Sequence, residues 1–166
     1  LFFKYHIEIE DRTSWKDILI VYYKVIHGVR LLYPDVVNTL KILWESGIRM
    51  GIISNTTNPE FIKEEELRQT GLNKYFEFTI FSSGTPYRKP HSSIFHAAIS
   101  RLNIEAENIL FVGDDLKMDV MGAQSVGMST AWLNRDGSSL VGNISPDYQI
   151  TSLSELLTMK PLKVAN

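Results

Sequence analysis

Residues 109–122 read Ile-Leu-Phe-Val-Gly-Asp-Asp-Leu-Lys-Met-Asp-Val-Met-Gly, and no other stretch constrains the fold as tightly. The opening apolar run has the length of a buried strand. It stops at Gly113 and releases Asp114, Asp115 and Asp119 in quick succession. Carboxylates at the carboxyl end of a buried strand lie where open α/β sheets place their ligands. Hard oxygen donors gathered there suit Mg²⁺, which takes one or two carboxylates and leaves room for water and substrate phosphate. Taken singly, Asp114 or Asp115 reads as a helix cap and Asp119 as a solvated first-turn residue. Three behind one apolar strand favour the ligand reading.

The rest of the chain agrees with a buried parallel strand at that point. Strands are expected at Met50 to Ser54, Phe76 to Ser82, Ile109 to Gly113, Thr130 to Leu133 and Tyr148 to Ile150. Between them lie helical patterns: Glu60 to Gln69, charged; Ser92 to Leu102, with Ile94, Ala98 and Leu102 on one face; and a short closing helix, Ser154 to Met159. Such alternation with short connections means an α/β fold with a doubly wound, Rossmann-like parallel sheet. Ahead of it, Val36, Leu40 and Leu43 share a helix face, and Gly47 is placed to end that helix. Residues 1–33 stand apart. Trp15, Ile18, Leu19, Tyr22 and Ile26 recur at helical spacing behind Thr13 or Ser14 as cap, and Tyr33-Pro34 breaks the pattern. The domain reading is a helical element at 1–33 and an α/β core at 34–166.

Two further segments carry candidate chemistry. Met50-Gly51-Ile52-Ile53-Ser54-Asn55 is a strand ending in hydroxyl and amide groups. Ser54 there, followed by backbone N–H groups entering a helix, can bind phosphate oxygens; the plain alternative is N-capping by Ser54 or Asn55. Tyr87-Arg88-Lys89-Pro90-His91 lies between a strand and a helix, and the proline fixes the backbone just after Lys89. Its ammonium could neutralise a phosphate or a carboxylate, although most lysines are simply solvated. His91 reads as a solvent-facing first-turn residue, and His6, His27 and His96 show no ligand spacing. Phe2, Phe3, Trp15, Tyr22 and Tyr23 could line a pocket, though aromatic residues at helical spacing more often pack.

In this order and spacing the segments resemble the haloacid dehalogenase superfamily, whose members are mostly Mg²⁺-dependent phosphatases. Tyr-Pro-Asp-Val at 33–36 resembles the entry to the helix before its second motif, and Gly-Ile-Ile-Ser-Asn at 51–55 resembles that motif. Arg-Lys-Pro at 88–90 resembles the third, and Val-Gly-Asp-Asp-Leu-Lys-Met-Asp-Val-Met-Gly-Ala at 112–123 the fourth. The resemblance implies that Ser54 and the Asn55 backbone hold the phosphoryl oxygens and that Lys89 balances charge. It implies Asp114 as the Mg²⁺ ligand, Asp115 as ligand or as a group behind the ligands, and Asp119 as orienting metal-bound water or Lys89.

The family's attacking carboxylate, in an Asp-x-Asp segment at the tip of its first strand, has no counterpart: no Asp-x-Asp occurs in the chain. In the family that strand lies between those ending here at Ser54 and Gly113, and leaving two buried strands facing an empty slot is costly. The expectation is that this strand precedes the given residues, which begin with Leu, and that 1–33 is the C-terminal part of a helical cap. The alternative is a short chain that completes its sheet from another subunit or serves as a binder.

The function expected is that of a Mg²⁺-dependent phosphohydrolase acting on a small phosphorylated metabolite through an aspartyl-phosphate in the complete protein. The rivals are an inactive ligand-binding or assembly domain of the same fold, or a dehalogenase or phosphomutase. A formal net charge of −2 recommends no nucleic-acid partner, and no apolar run suits a membrane span. A chain without cysteine excludes disulfides and thiolate chemistry. The expected setting is cytoplasmic, and homo-oligomerisation is left open.

Overall fold

A computed structural model describes residues 14–27, 31–140 and 142–159. Two compact units are distinguished, 1–31 and 32–166. In the first, helix α1 (Trp15–His27) starts as its sequence dictates. The Ser14 hydroxyl accepts from the Lys16 N–H (3.1 Å), and Asp17 accepts from the Ser14 N–H (3.2 Å). Trp15 and Tyr22 are exposed, and the Tyr22 ring meets that of Tyr23 edge-on. Phe2, Phe3, His6 and Thr13, named above, lie outside the described residues, as do the side chains of Ile26 and His27.

The second unit is built from helix α2 (Val36–Glu45), strand β1 (Gly51–Ser54), α3 (Glu60–Thr70), β2 (Phe78–Phe81) and α4 (Ser92–Leu102). It continues with β3 (Leu110–Gly113), α5 (Gly122–Gln124), β4 (Ser129–Leu133), β5 (Tyr148–Ile150) and a closing 3₁₀ segment, Leu153–Thr158. α2 buries Thr39 and Leu43 and stops at Gly47 (φ 77°), where the Ile48 N–H reaches back to the Leu43 carbonyl at 3.0 Å. α4 matches its expected bounds and buries Ile94, Phe95, Ala98 and Leu102.

All strand pairs are parallel. β1 pairs with β2 (Ile53 opposite Ile80), and β3–β4–β5 form a second ladder, with Val112 opposite Ala131 and Trp132 opposite Gln149. The two ladders share faces. Ile53 and Ile80 pack with Phe111 against Phe95 and Ala98 of α4. Met50, Leu110 and Val112 pack on the other side with Leu43 of α2 and Leu156 of the 3₁₀ segment. This is the doubly wound layer expected from the alternation. Among the described residues no strand lies between β1 and β3.

The edges flanking that gap can be assigned. The Met50 carbonyl accepts from the Glu77 N–H (2.8 Å), so alternation turns the backbone groups of Gly51 and Ile53 away from β2. The Ile109 carbonyl accepts from Ser129 (3.0 Å), which turns those of Leu110 and Val112 away from β4. β1 and β3 thus offer facing rows of backbone groups, a slot for one parallel strand.

Two expectations are corrected. The strand expected over Phe76–Ser82 spans only Phe78–Phe81, and Ser82 opens a 3₁₀ turn (Ser82–Gly84) with its hydroxyl bonded to the Thr56 backbone. The closing segment is 3₁₀ rather than α, with Ser152 and Glu155 forming a capping box. Asp35 accepts from Arg135 (2.9 and 3.1 Å), the Ser152 hydroxyl (2.8 Å) and the Leu153 N–H (2.7 Å), tying the start of α2 to the segment after β5.

Candidate active site

The carboxyl ends of β1 and β3 open into a cavity of about 840 Å³ whose lining includes Ser54, Asn55, Lys89, Asp114, Asp115 and Asp119, together with Arg88 and His91. The candidate phosphate-binding, charge-balancing and acidic residues all line this one cavity, although they come from three separated segments; Trp15, Tyr22 and Tyr23 do not. Parallel strands running the same way put their tips on a common rim, and each candidate directly follows or ends a strand or precedes a helix.

Lys89 is the hub. Its ammonium donates to Asp119 Oδ1 (2.5 Å) and to the Ile53 carbonyl (3.2 Å), and it sits 5.5 Å from the centre of the Phe111 ring. It thus occupies the end of the gap, bonded to a slot-facing carbonyl of β1 and over a side chain of β3. Both charges are largely covered, with 12% of the lysine side chain and 4% of the aspartate exposed. A buried carboxylate needs every lone pair answered, and the second Asp119 oxygen accepts from the Asp115 N–H at 3.1 Å.

Local backbone explains how Asp119 gets there. Leu116–Met121 is a π-helical turn, in which the Asp115 carbonyl accepts from both Asp119 (2.9 Å) and Val120 (3.2 Å). The wider turn directs Asp119 back over Gly113. A Cβ on Gly113 would stand 2.4 Å from the Asp119 side chain, so only glycine admits the carboxylate.

The acidic trio separates into three situations. Asp119 is buried and paired. Asp115 is the cap of the π turn, its Oδ1 accepting from the N–H groups of Lys117 (2.8 Å) and Met118 (2.7 Å). Asp114 is exposed, and its carboxylate has no hydrogen-bond partner among the described residues, while its backbone carbonyl accepts from the Trp132 indole at 2.9 Å. No group of three or more metal-ligating side chains occurs among the described residues. Mg²⁺ needs only one or two carboxylates when water and substrate fill its other positions. An unengaged, hard, charged donor at the strand tip fits that ion.

Two readings of the loops change. No helix follows Ser54 directly, since α3 begins only at Glu60 with Pro59 ahead of it, so neither Ser54 nor Asn55 is a helix cap. The Asn55 side chain is committed elsewhere: Nδ2 donates to the Lys89 carbonyl and Oδ1 accepts from the Lys89 N–H, both at 2.9 Å. His91 is solvent-facing, as expected, but stands one residue before α4 rather than in its first turn. It caps α4 by accepting from the Ser93 N–H (3.2 Å) and stacks flat on Tyr87 at 3.9 Å. Sequence reading also missed Ser82, whose hydroxyl accepts from the Thr56 N–H (2.9 Å) and donates to the Thr56 carbonyl (3.2 Å). A serine directly after an apolar strand was the available signal.

Comparison with known proteins points to one family. Residues 3–127 match the family described as haloacid dehalogenase-like hydrolase. A glyceraldehyde 3-phosphate phosphatase of Pyrococcus furiosus is 31% identical over 159 residues, covering 91% of this chain and 64% of that protein. A pyrimidine 5'-nucleotidase of Escherichia coli is 30% identical over 124 residues, covering 74% of this chain and 54% of that one. Among solved structures, a phosphatase of Thermococcus onnurineus superposes with a TM-score of 0.73 at 34% identity, covering 95% of this chain and 67% of that one. The chain spans about half to two thirds of the length of these curated relatives.

Proposed function

The chain belongs to the haloacid dehalogenase-like hydrolase family, and on that premise we propose that the rim between β1 and β3 serves a Mg²⁺-dependent phosphohydrolase of small phosphorylated metabolites. The observation that carries this reading is the position of Lys89. A cation held between β1 and Asp119, in a cavity also lined by Ser54 and Asp114, is what a phosphate monoester dianion requires. Phosphoryl transfer asks chiefly for in-line placement and neutralisation of charge.

In this reading the slot between β1 and β3 receives a parallel strand from residues outside 1–166, and its tip carries the attacking carboxylate. That carboxylate forms a bond to phosphorus as the bond to the leaving oxygen breaks, and water then cleaves the acyl phosphate to inorganic phosphate. The Ser54 hydroxyl and the Asn55 backbone N–H donate to the phosphoryl oxygens, which they can do without net charge. Lys89 lies between phosphate and the incoming carboxylate, and Asp119 holds the ammonium there. Asp114 would hold Mg²⁺, with Asp115 behind it, and the bound ion would supply further positive charge to the phosphoryl group. Residues 1–33 are read as the C-terminal part of a helical cap, and the setting as cytoplasmic. No described helix is long and apolar enough to cross a membrane.

The test is hydrolysis of an aryl phosphate by the complete gene product with Mg²⁺. Lys89→Ala should cost about 2–4 kcal/mol of transition-state stabilisation, as losing other preorganised charge stabilisers does. Full activity in that variant would refute the assignment.

A further inference from the structure

Lys89 lies on a connection from β2 to α4 that contains no ladder hydrogen bond, and its ammonium ends four rotatable bonds from that backbone. Asp119 and the Ile53 carbonyl hold the ammonium at its far end, and the main chain from which it reaches is the other determinant of its place. Two side chains fix that main chain. The Asn55 amide grips the Lys89 peptide groups from both sides, donating to the carbonyl and accepting from the N–H at 2.9 Å each. The loop carrying Asn55 is gripped in turn at the next residue, where the Ser82 hydroxyl accepts from the Thr56 N–H and donates to the Thr56 carbonyl. The contacts form a chain across the rim: Ser82 at the end of β2, Thr56 and Asn55 after β1, Lys89, then Asp119 after β3. It spans the gap that no ladder bond crosses among the described residues.

We infer that Ser82 and the side chain of Asn55 are positioning residues that set the place of the Lys89 ammonium, acting through main-chain clasps and touching no reacting atom. This assigns Ser82 a part in the site and gives the Asn55 amide a task distinct from phosphate binding. The catalytic consequence rests on the reading of Lys89 given under Proposed function; the positional consequence does not.

Both can be measured in the complete protein carrying Ser82→Ala, Asn55→Ala or the hydroxyl-keeping Ser82→Thr. The first readout is acetylation of Lys89 by limiting acetic anhydride, followed by peptide mass spectrometry. Lys63 is the internal reference, since it is covered to a similar degree (14% exposed) and paired with Glu66 within α3. The second readout is kcat and KM on an aryl phosphate. Both alanine variants should raise the Lys89-to-Lys63 ratio by at least about threefold, in keeping with loss of a hydrogen bond or two. They should lower kcat about tenfold while KM stays within about twofold, since the clasps shape the transition state more than binding. Ser82→Thr should return both values toward the parent. An unchanged labelling ratio in folded Ser82→Ala overturns the inference. If Asn55→Ala fails to fold, Ser82→Ala decides alone; if that also fails, Ser82→Cys, with its weaker and longer bonds, is read by the same ratio. Altered labelling in the variants, with a parent protein that turns over no phosphate ester, would sustain the clasps and sink the phosphatase reading.

Discussion

Three aspartates within six residues do three different jobs, and substitution should separate them. Asp119 is committed to Lys89, Asp115 to the N–H groups of Lys117 and Met118, and Asp114 to no described partner. Asp114→Asn, which keeps the shape and removes a charged hard ligand, should abolish most Mg²⁺ affinity in a calorimetric titration. An unchanged isotherm would remove Asp114 from the metal site. Asp115→Ala should lower unfolding stability by about 1 kcal/mol through loss of the cap, whereas Asp115→Asn, which still caps, should cost little. Urea midpoints read that contrast directly. The sequence announced the trio but could not sort it, because the sorting depends on a π turn that shifts Asp119 by part of a turn, and no residue pattern signals that insertion. The Asn55 and Ser82 clasps were illegible for a similar reason, since each joins a side chain to a backbone group 34 or 26 residues away.

Among the elements, α4 was legible to the residue because its apolar spacing and its exit at Asn103 (φ 52°) are local. Strand ends were less so, because a ladder ends where its partner ends, as β2 does at Phe81 opposite Ser54. Close approach at the end of β3 makes a sharp prediction. Gly113→Ala should force Asp119 off Lys89, lowering kcat at least about tenfold if the pair acts as preorganised charge; unaltered kcat would show that the 2.4 Å conflict relaxes harmlessly. The Asp35 cluster predicts an acid limb. Burial alone would push the Asp35 carboxyl up, but the bonds from Ser152, Arg135 and the Leu153 N–H outweigh it and hold the value at about 2. A carboxyl depressed in the folded state stabilises it fully above the ordinary value of 3.8, and that stability is lost as pH falls through about 2. The contribution is about 2 kcal/mol. The difference in urea midpoint between the parent and Asp35→Asn should therefore shrink between about pH 5 and about pH 2.5; a constant difference would contradict the assignment.

At the scale of the whole molecule, the layer is a parallel sheet interrupted at the point where its chemistry converges. The facing backbone edges of β1 and β3, the shared helical faces and the lysine at the gap are what the proposed incoming strand would complete. The most direct test compares turnover of an aryl phosphate with Mg²⁺ by residues 1–166 alone and by the complete gene product. The account predicts no turnover from residues 1–166, whose sequence contains no Asp-x-Asp segment, and chelator-sensitive turnover from the complete protein. Turnover by residues 1–166 that survives both chelator and Lys89→Ala would contradict it.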